Sequence, residues 1–109
     1  MSIKRHIATG TAAIASTLTP TSDFRLKEVR LHLSAAGGAV GVVNFTITLD
    51  SALGAAYDVV LKTVDMTAVV DYHWQPELPL EFVNGDALVF AYANGSSRTY
   101  GLEVIYETV

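Results

Sequence analysis

A chain of 109 residues with no cysteine forms one domain around one core, without a disulfide framework or thiolate chemistry. Half of the residues are apolar and 17% are charged, against about 25% in ordinary soluble domains, so part of the exterior must be apolar, which predicts an oligomer or a docked subunit. The net charge of −4, with seven Lys and Arg scattered along the chain, excludes nucleic acid as a partner, because phosphate binding needs clustered cations.

The opening "MSIKRHIATGTAAIASTL" sets cationic residues before an Ala-rich run, but Thr9, Gly10, Thr11 and Ser16 interrupt it. No apolar stretch reaches the length a bilayer requires, so no membrane partner and no targeting segment are expected. Residues 1–19, rich in Thr and Ala and carrying Lys4, Arg5 and His6, are expected to form one or two weak strands. They read as an N-terminal arm or edge strand able to pair with a neighbouring subunit, ahead of a β-sandwich domain over residues 20–109.

Strand signals then recur at short spacing, and nothing reads as an amphipathic helix. In "FRLKEVRLHLS", Phe24 and Leu26 share one parity while Val29, Leu31 and Leu33 share the other. A β-bulge at Lys27 and Glu28 would turn both sets inward. "SAAGGAVG" reads as a flexible connection, because Gly37, Gly38 and Gly41 break the strand pattern; without a lysine and a following helix they form no phosphate loop. In "VVNFTITLD", Val43, Phe45, Ile47 and Leu49 alternate with polar residues and mark a core face. "YDVVLKTV" is apolar on both faces, with Tyr57, Val59 and Leu61 on one side and Val60 and Val64 on the other. It is expected to be either central in a sheet or covered by a partner.

"AVVDYHWQ" is the next strand and stops at Pro76, and "PELPLEF" suits an edge or a loop because proline cannot donate to a ladder. At the end of the chain, Asn84, Gly85 and Asp86 form a turn, Leu88, Phe90 and Tyr92 point inward, and "NGSS" turns into a last strand with Tyr100, Leu102, Val104 and Tyr106 inward. This is the strongest hairpin signal in the chain. The total, about seven to eight strands at this length, predicts an all-β antiparallel β-sandwich of jelly-roll topology.

The densest chemistry lies in "DYHWQP". Alternation separates Tyr72 and Trp74 on one face from Asp71 and His73 on the other. An Asp–His catalytic pair would need a nucleophile beyond the imidazole, and Ser96 and Ser97 lie in a turn whose position the sequence does not place. His6, His32 and His73 show no paired metal-ligand spacing. Asp50, Asp58, Asp65, Asp71 and Asp86 form no continuous calcium loop, which leaves calcium assembled from separate loops as the one metal alternative. For the only Trp, flanked in phase by Val70 and Tyr72, packing in the core or in a subunit interface outweighs stacking on a sugar ring. No catalytic residue, metal or cofactor is expected.

Three stretches, "LTPTSDFRLKEVRLHL", "ITLDS" and "GDALVFAYANGSSRTYGLEVIYE", carry a resemblance to the small structural proteins of tailed bacteriophages. It covers most of the chain from about residue 17 onward, and it consists of strand and turn patterns rather than chemical signatures. The resemblance implies a virion component on the capsid exterior: a non-enzymatic capsid decoration or cement protein of jelly-roll type, forming a homotrimer, bound to the major capsid protein and bridging capsomers. Residues 1–19 would then reach toward the shell or a neighbouring subunit. The candidate capsid or subunit interface residues are Ile3, Lys4, Arg5, His6, Ile7, Tyr72, His73 and Trp74. Two alternatives remain. A tail-fibre or spike module that binds host glycans would need Tyr72 and Trp74 exposed in a groove, and a small esterase or glycosidase would need Asp71, His73, Glu77 or Glu81 gathered in a pocket.

Overall fold

Alternation of apolar and polar side chains resolves into nine strands, described for residues 2–109 in a computed structural model. They are β1 Ser2–Gly10, β2 Ile14–Leu18, β3 Phe24–Leu33, β4 Asn44–Asp50, β5 Val59–Asp65, β6 Asp71–Trp74, β7 Leu80–Phe82, β8 Ala87–Tyr92 and β9 Tyr100–Thr108. One sheet has the order β1-β9-β3-β6, with β7 also on β3; the other has the order β2-β8-β4-β5. The pairs β1–β9, β2–β8, β3–β6/β7 and β4–β5 make the chain one long antiparallel hairpin with its tip at β4–β5. Pairing of β9 with β3 and of β8 with β4 then rolls that hairpin into two facing sheets. This is the jelly roll expected from the strand count, with β6 and β7 as two halves of one interrupted edge strand.

The N-terminal segment takes the edge-strand form. Ser2–Gly10 pairs with β9 along its whole length, and Ile14–Leu18 forms an edge of the other sheet; Met1 lies outside the described residues. Residues 2–18 thus help to build both layers instead of extending away from them.

The phase slip in β3 is a bulge. The register against β9 shifts between Leu26 and Glu28, and Phe24, Leu26, Val29, Leu31 and Leu33 are all buried as a result. The same point divides the neighbouring edge: β7 pairs with Phe24 to Leu26 and β6 with Val29 to His32. Between them residues 75–79, bracketed by Pro76 and Pro79, leave the ladder because neither proline can donate to it.

Phe24, Phe45, Phe90, Leu26, Leu31, Ile47, Leu88, Leu102 and Val104 are fully buried between the sheets. Each such side chain stabilises the fold by roughly 1.5–3 kcal/mol relative to exposure. The turn at Asn84 to Asp86 is held by the Asp86 carboxylate, which accepts from Ala52 N at 2.8 Å and Val83 N at 3.0 Å. Backbone donors thereby satisfy a charge that is only 8% exposed.

Three expectations need correction. The closing strands β8 and β9 do not form a hairpin: β8 lies between β2 and β4, and β9 between β1 and β3. Residues 93–99 cross from one sheet to the other, a gap of about 10 Å, with Asn94 and Ser97 at φ 53° and 52°. The Gly-rich connection is anchored, because Gly37 N and Gly38 N donate to the Met66 and Thr67 carbonyls at 3.0 Å. At buried Gly37 an added Cβ would sit 2.6 Å from the Met66 carbonyl oxygen.

Strand β5 is an edge of its sheet and not a central strand. Its register against β4 shifts at Leu61, so Val64 opposes Phe45 while Val59 opposes Leu49. Leu61 and Val64 therefore pack on the core side, and Val60, opposite Thr48, faces out. Tyr57, Val59 and Val60 remain about half exposed or more.

Candidate functional site

The register of the β1-β9-β3-β6 sheet distributes the candidate residues over its two faces. Opposed residues share a face, so Lys4, His6, Tyr72 and Trp74 turn toward the core side with Tyr106, Val104, Leu31 and Val29. Ile3, Arg5, Ile7 and His73 turn outward with Glu107, Ile105, Glu103 and Arg30. The sequence-derived cluster therefore divides into residues that close the sandwich and residues that decorate it.

The closing residues act at opposite edges. At the β1/β2 edge the His6 ring stacks on Phe90 with centroids 6.3 Å apart, and its Nε2 is hydrogen-bonded to Ser16 Oγ at 2.6 Å. Partial burial holds the imidazole below its ordinary pKa of 6.5. At the β5/β6 edge Tyr72 meets Phe45 edge-on at 6.2 Å, and Lys62 Nζ lies 5.0 Å from the centroid of the Trp74 ring. One face of the indole is thus covered by a cation from the same chain, an arrangement worth about 0.5–2 kcal/mol. The β5 bulge at Leu61 is what turns Lys62 inward to reach it.

The state of His6 has a measurable consequence. Below pH 6.5 the unfolded chain takes up a proton that the folded chain resists, so stability falls as pH falls from 6.5 toward the lowered folded-state value. The His6→Gln variant is expected to lose that component. Its melting temperature between about pH 7 and pH 5 changes less steeply than that of the parent; equal slopes would assign the acid sensitivity to other groups.

The outward face is a lattice of ion pairs. Arg5 donates to Glu103, and Arg30 donates to Glu103 at 3.3 Å and to Glu28. His73 Nε2 lies 2.9 Å from Glu28 Oε1, and Arg25 joins Glu81 at 2.7 Å and Glu107 at 3.2 Å. The hydrogen bond from Arg30, then the nearby positive charge, hold the Glu28 carboxyl below its ordinary range. Exposed pairs of this kind contribute about 0–1 kcal/mol each, so they fix register more than they stabilise. Partners such as Arg30 and Glu103 escape sequence reasoning because their meeting depends on the β3–β9 register; the alternation of charges in "RLKEVRLH" was the available signal.

Gly101 leaves a gap in this lattice. A concavity of about 460 Å³ lies over it, lined among others by Ile7, Arg30, His32, Asp71, His73 and Glu103. Asp71 pairs with His32 at 2.6 Å and not with His73, which is held by Glu28. The lining contains no serine, threonine or cysteine, so the His–Asp pair has no triad hydroxyl or thiol beside it. Glu77 does not line this concavity, and Glu81 lines a separate one beside Phe82 and Val109. Among the described residues, no three His, Cys, Asp or Glu side chains converge as metal ligands. No helix is long and apolar enough to cross a membrane. Compared with known protein families and with curated proteins, the sequence finds no match in either.

Proposed function

We propose that the chain is a non-enzymatic structural protein of a virion, a decoration or cement protein that binds the outer capsid as an oligomer and stabilises it. The observation that carries this reading is the apolar rim formed by the start of β5 and the loop before it, where Leu53 is 74%, Tyr57 60% and Val60 58% exposed. A small monomer with so few charges gains nothing from leaving such a row in water, whereas a docked subunit buries it. The outward-facing charges on the other sheet are already matched in pairs, which suits a surface that scaffolds contacts and performs no proton transfer. The major capsid protein is the expected receiver of the β5 rim, and many weak contacts on a lattice add through multivalency.

The test is sedimentation with capsids purified free of this protein. Saturable binding at a fixed stoichiometry and a higher disruption temperature of the particle are expected. Val60→Asp, on the outward side of an edge strand, should weaken binding by about tenfold or more without lowering the domain's own melting temperature. Absence of binding, with the chain folded, removes the capsid role. Glycan binding lost in Trp74→Ala would instead favour an adhesin.

A further inference from the structure

Strand β1 is a nine-residue edge with an unbroken register and no proline. It lacks the bulge and the proline that blunt many free edges and carries Lys4 and Arg5 as its charged guards. Across the same sheet, the opposite edge is the interrupted pair β6 and β7. The two edges differ in charge: β1 carries Lys4 beside an Arg5 already held by Glu103, while the other presents Glu77, with Asp71 and Glu81 already paired to His32 and Arg25. Both edges also expose apolar side chains, Ile3 at 60% and Ile7 at 55% on one and Leu78 at 77% on the other.

We propose that copies of this chain join edge to edge, with β1 of one copy laid along the β6–β7 edge of the next, closing into a ring. Heterologous contacts of this kind close when the rotation permits. A rotation axis parallel to the strands preserves strand direction. Since β1 runs parallel to β3 and β6 antiparallel to it, β1 then lies antiparallel to its new neighbour, the more favourable ladder.

A closed ring also forbids any shift along its axis, so residues meet at the level they occupy within one sheet. Lys4 is level with Tyr106, Leu26 and Leu80, and His6 with Val104, Val29 and Trp74. Lys4 consequently faces Leu80, where the 75–79 excursion rejoins the ladder, and Arg5 faces the excursion itself, which carries Glu77 and Leu78. Among the described residues Lys4 is the one Lys or Arg without a partner inside the chain, and Glu77 also makes no ion pair. The contact supplies each with the other.

This inference rests on the oligomeric part of the proposed function, and its test uses no capsids. Light scattering after size exclusion should show one closed oligomer of a single fixed size. Lys4→Glu and Glu77→Lys should each raise the subunit dissociation constant by about tenfold, since each places like charges together. The double variant should return it to within about threefold of the parent, the sign of a direct pairing. Leu78→Asp should weaken assembly at an unchanged melting temperature. A monomer at about 100 μM overturns the proposal, because a useful subunit contact holds at micromolar concentration or below. So does an oligomer indifferent to Glu77→Lys and Leu78→Asp. An oligomer that ignores capsids would sink the capsid role alone, and a monomer that binds them would sink the ring alone.

Discussion

Replacing Asn94 by alanine is expected to lower the melting temperature by about 15 °C, on a scale of roughly 4–8 °C per kcal/mol for a domain near this size. The Asn94 amide is 3% exposed and joins separate segments at one end of the sandwich. Its Nδ2 donates to the carbonyls of Ala12 at 3.0 Å and Arg98 at 2.9 Å and approaches that of Thr11 at 3.2 Å, while its Oδ1 accepts from Arg98 N at 2.9 Å. Truncation leaves these buried groups without partners, at about 1–3 kcal/mol for each one that water does not reach. Alanine also suffers at φ 53°, a left-handed conformation that asparagine tolerates and that costs most other residues roughly 1–2 kcal/mol. Glycine separates the two effects: Asn94→Gly should recover about 1 kcal/mol over Asn94→Ala and no more. Equal melting temperatures for the parent and Asn94→Ala would show that the crossing between sheets is held by something other than this amide.

Phe90→Ala is expected to cost about 3–5 kcal/mol, read as the shift in a urea midpoint at constant m-value. Phe90 is fully buried on β8, the strand between β2 and β4, and lies opposite Ser16 on one side and Ile47 on the other. Its ring is also the surface on which His6 stacks. The cavity would therefore open toward the β1/β2 edge and relax the partial burial of the imidazole, so the variant should show a shallower loss of stability between about pH 7 and pH 5 as well as the lower midpoint. A cost below about 1.5 kcal/mol would mean that the sheets collapse onto the space and that packing at this edge is loose.

Much of this fold could be read from local pattern, and the reasons are particular. The bulge in β3 announced itself because Phe24 and Leu26 fall out of phase with Val29, Leu31 and Leu33, and only one extra residue reconciles them. The split of Tyr72 and Trp74 from Asp71 and His73 follows from alternation alone. What stayed hidden depends on how the long hairpin is rolled. "NGSS" suits a tight turn or a crossing between layers equally well, so the separation of β8 from β9 had no local mark. The two-sided apolar character of β5 suggested burial, yet topology leaves the strand at an edge with Val59 and Val60 about half exposed. The ion pairs of the outer face belong to the same class, since Arg5, Arg30 and Glu103 come from three strands that meet only in the finished sheet.

The rolled hairpin also orders events in time. At its tip, Leu49 and Val59 need close only a short loop, whereas pairing of Ser2 with Thr108 joins the two ends of the chain. Loop-closure entropy favours zipping from the tip outward, with β1 added to β9 once the intervening strands have shortened the effective loop. The strand proposed to meet the neighbouring copy is thus the last to find its place at home. In the proposed ring, a half-folded chain would lack the finished β1 edge that the contact between copies requires.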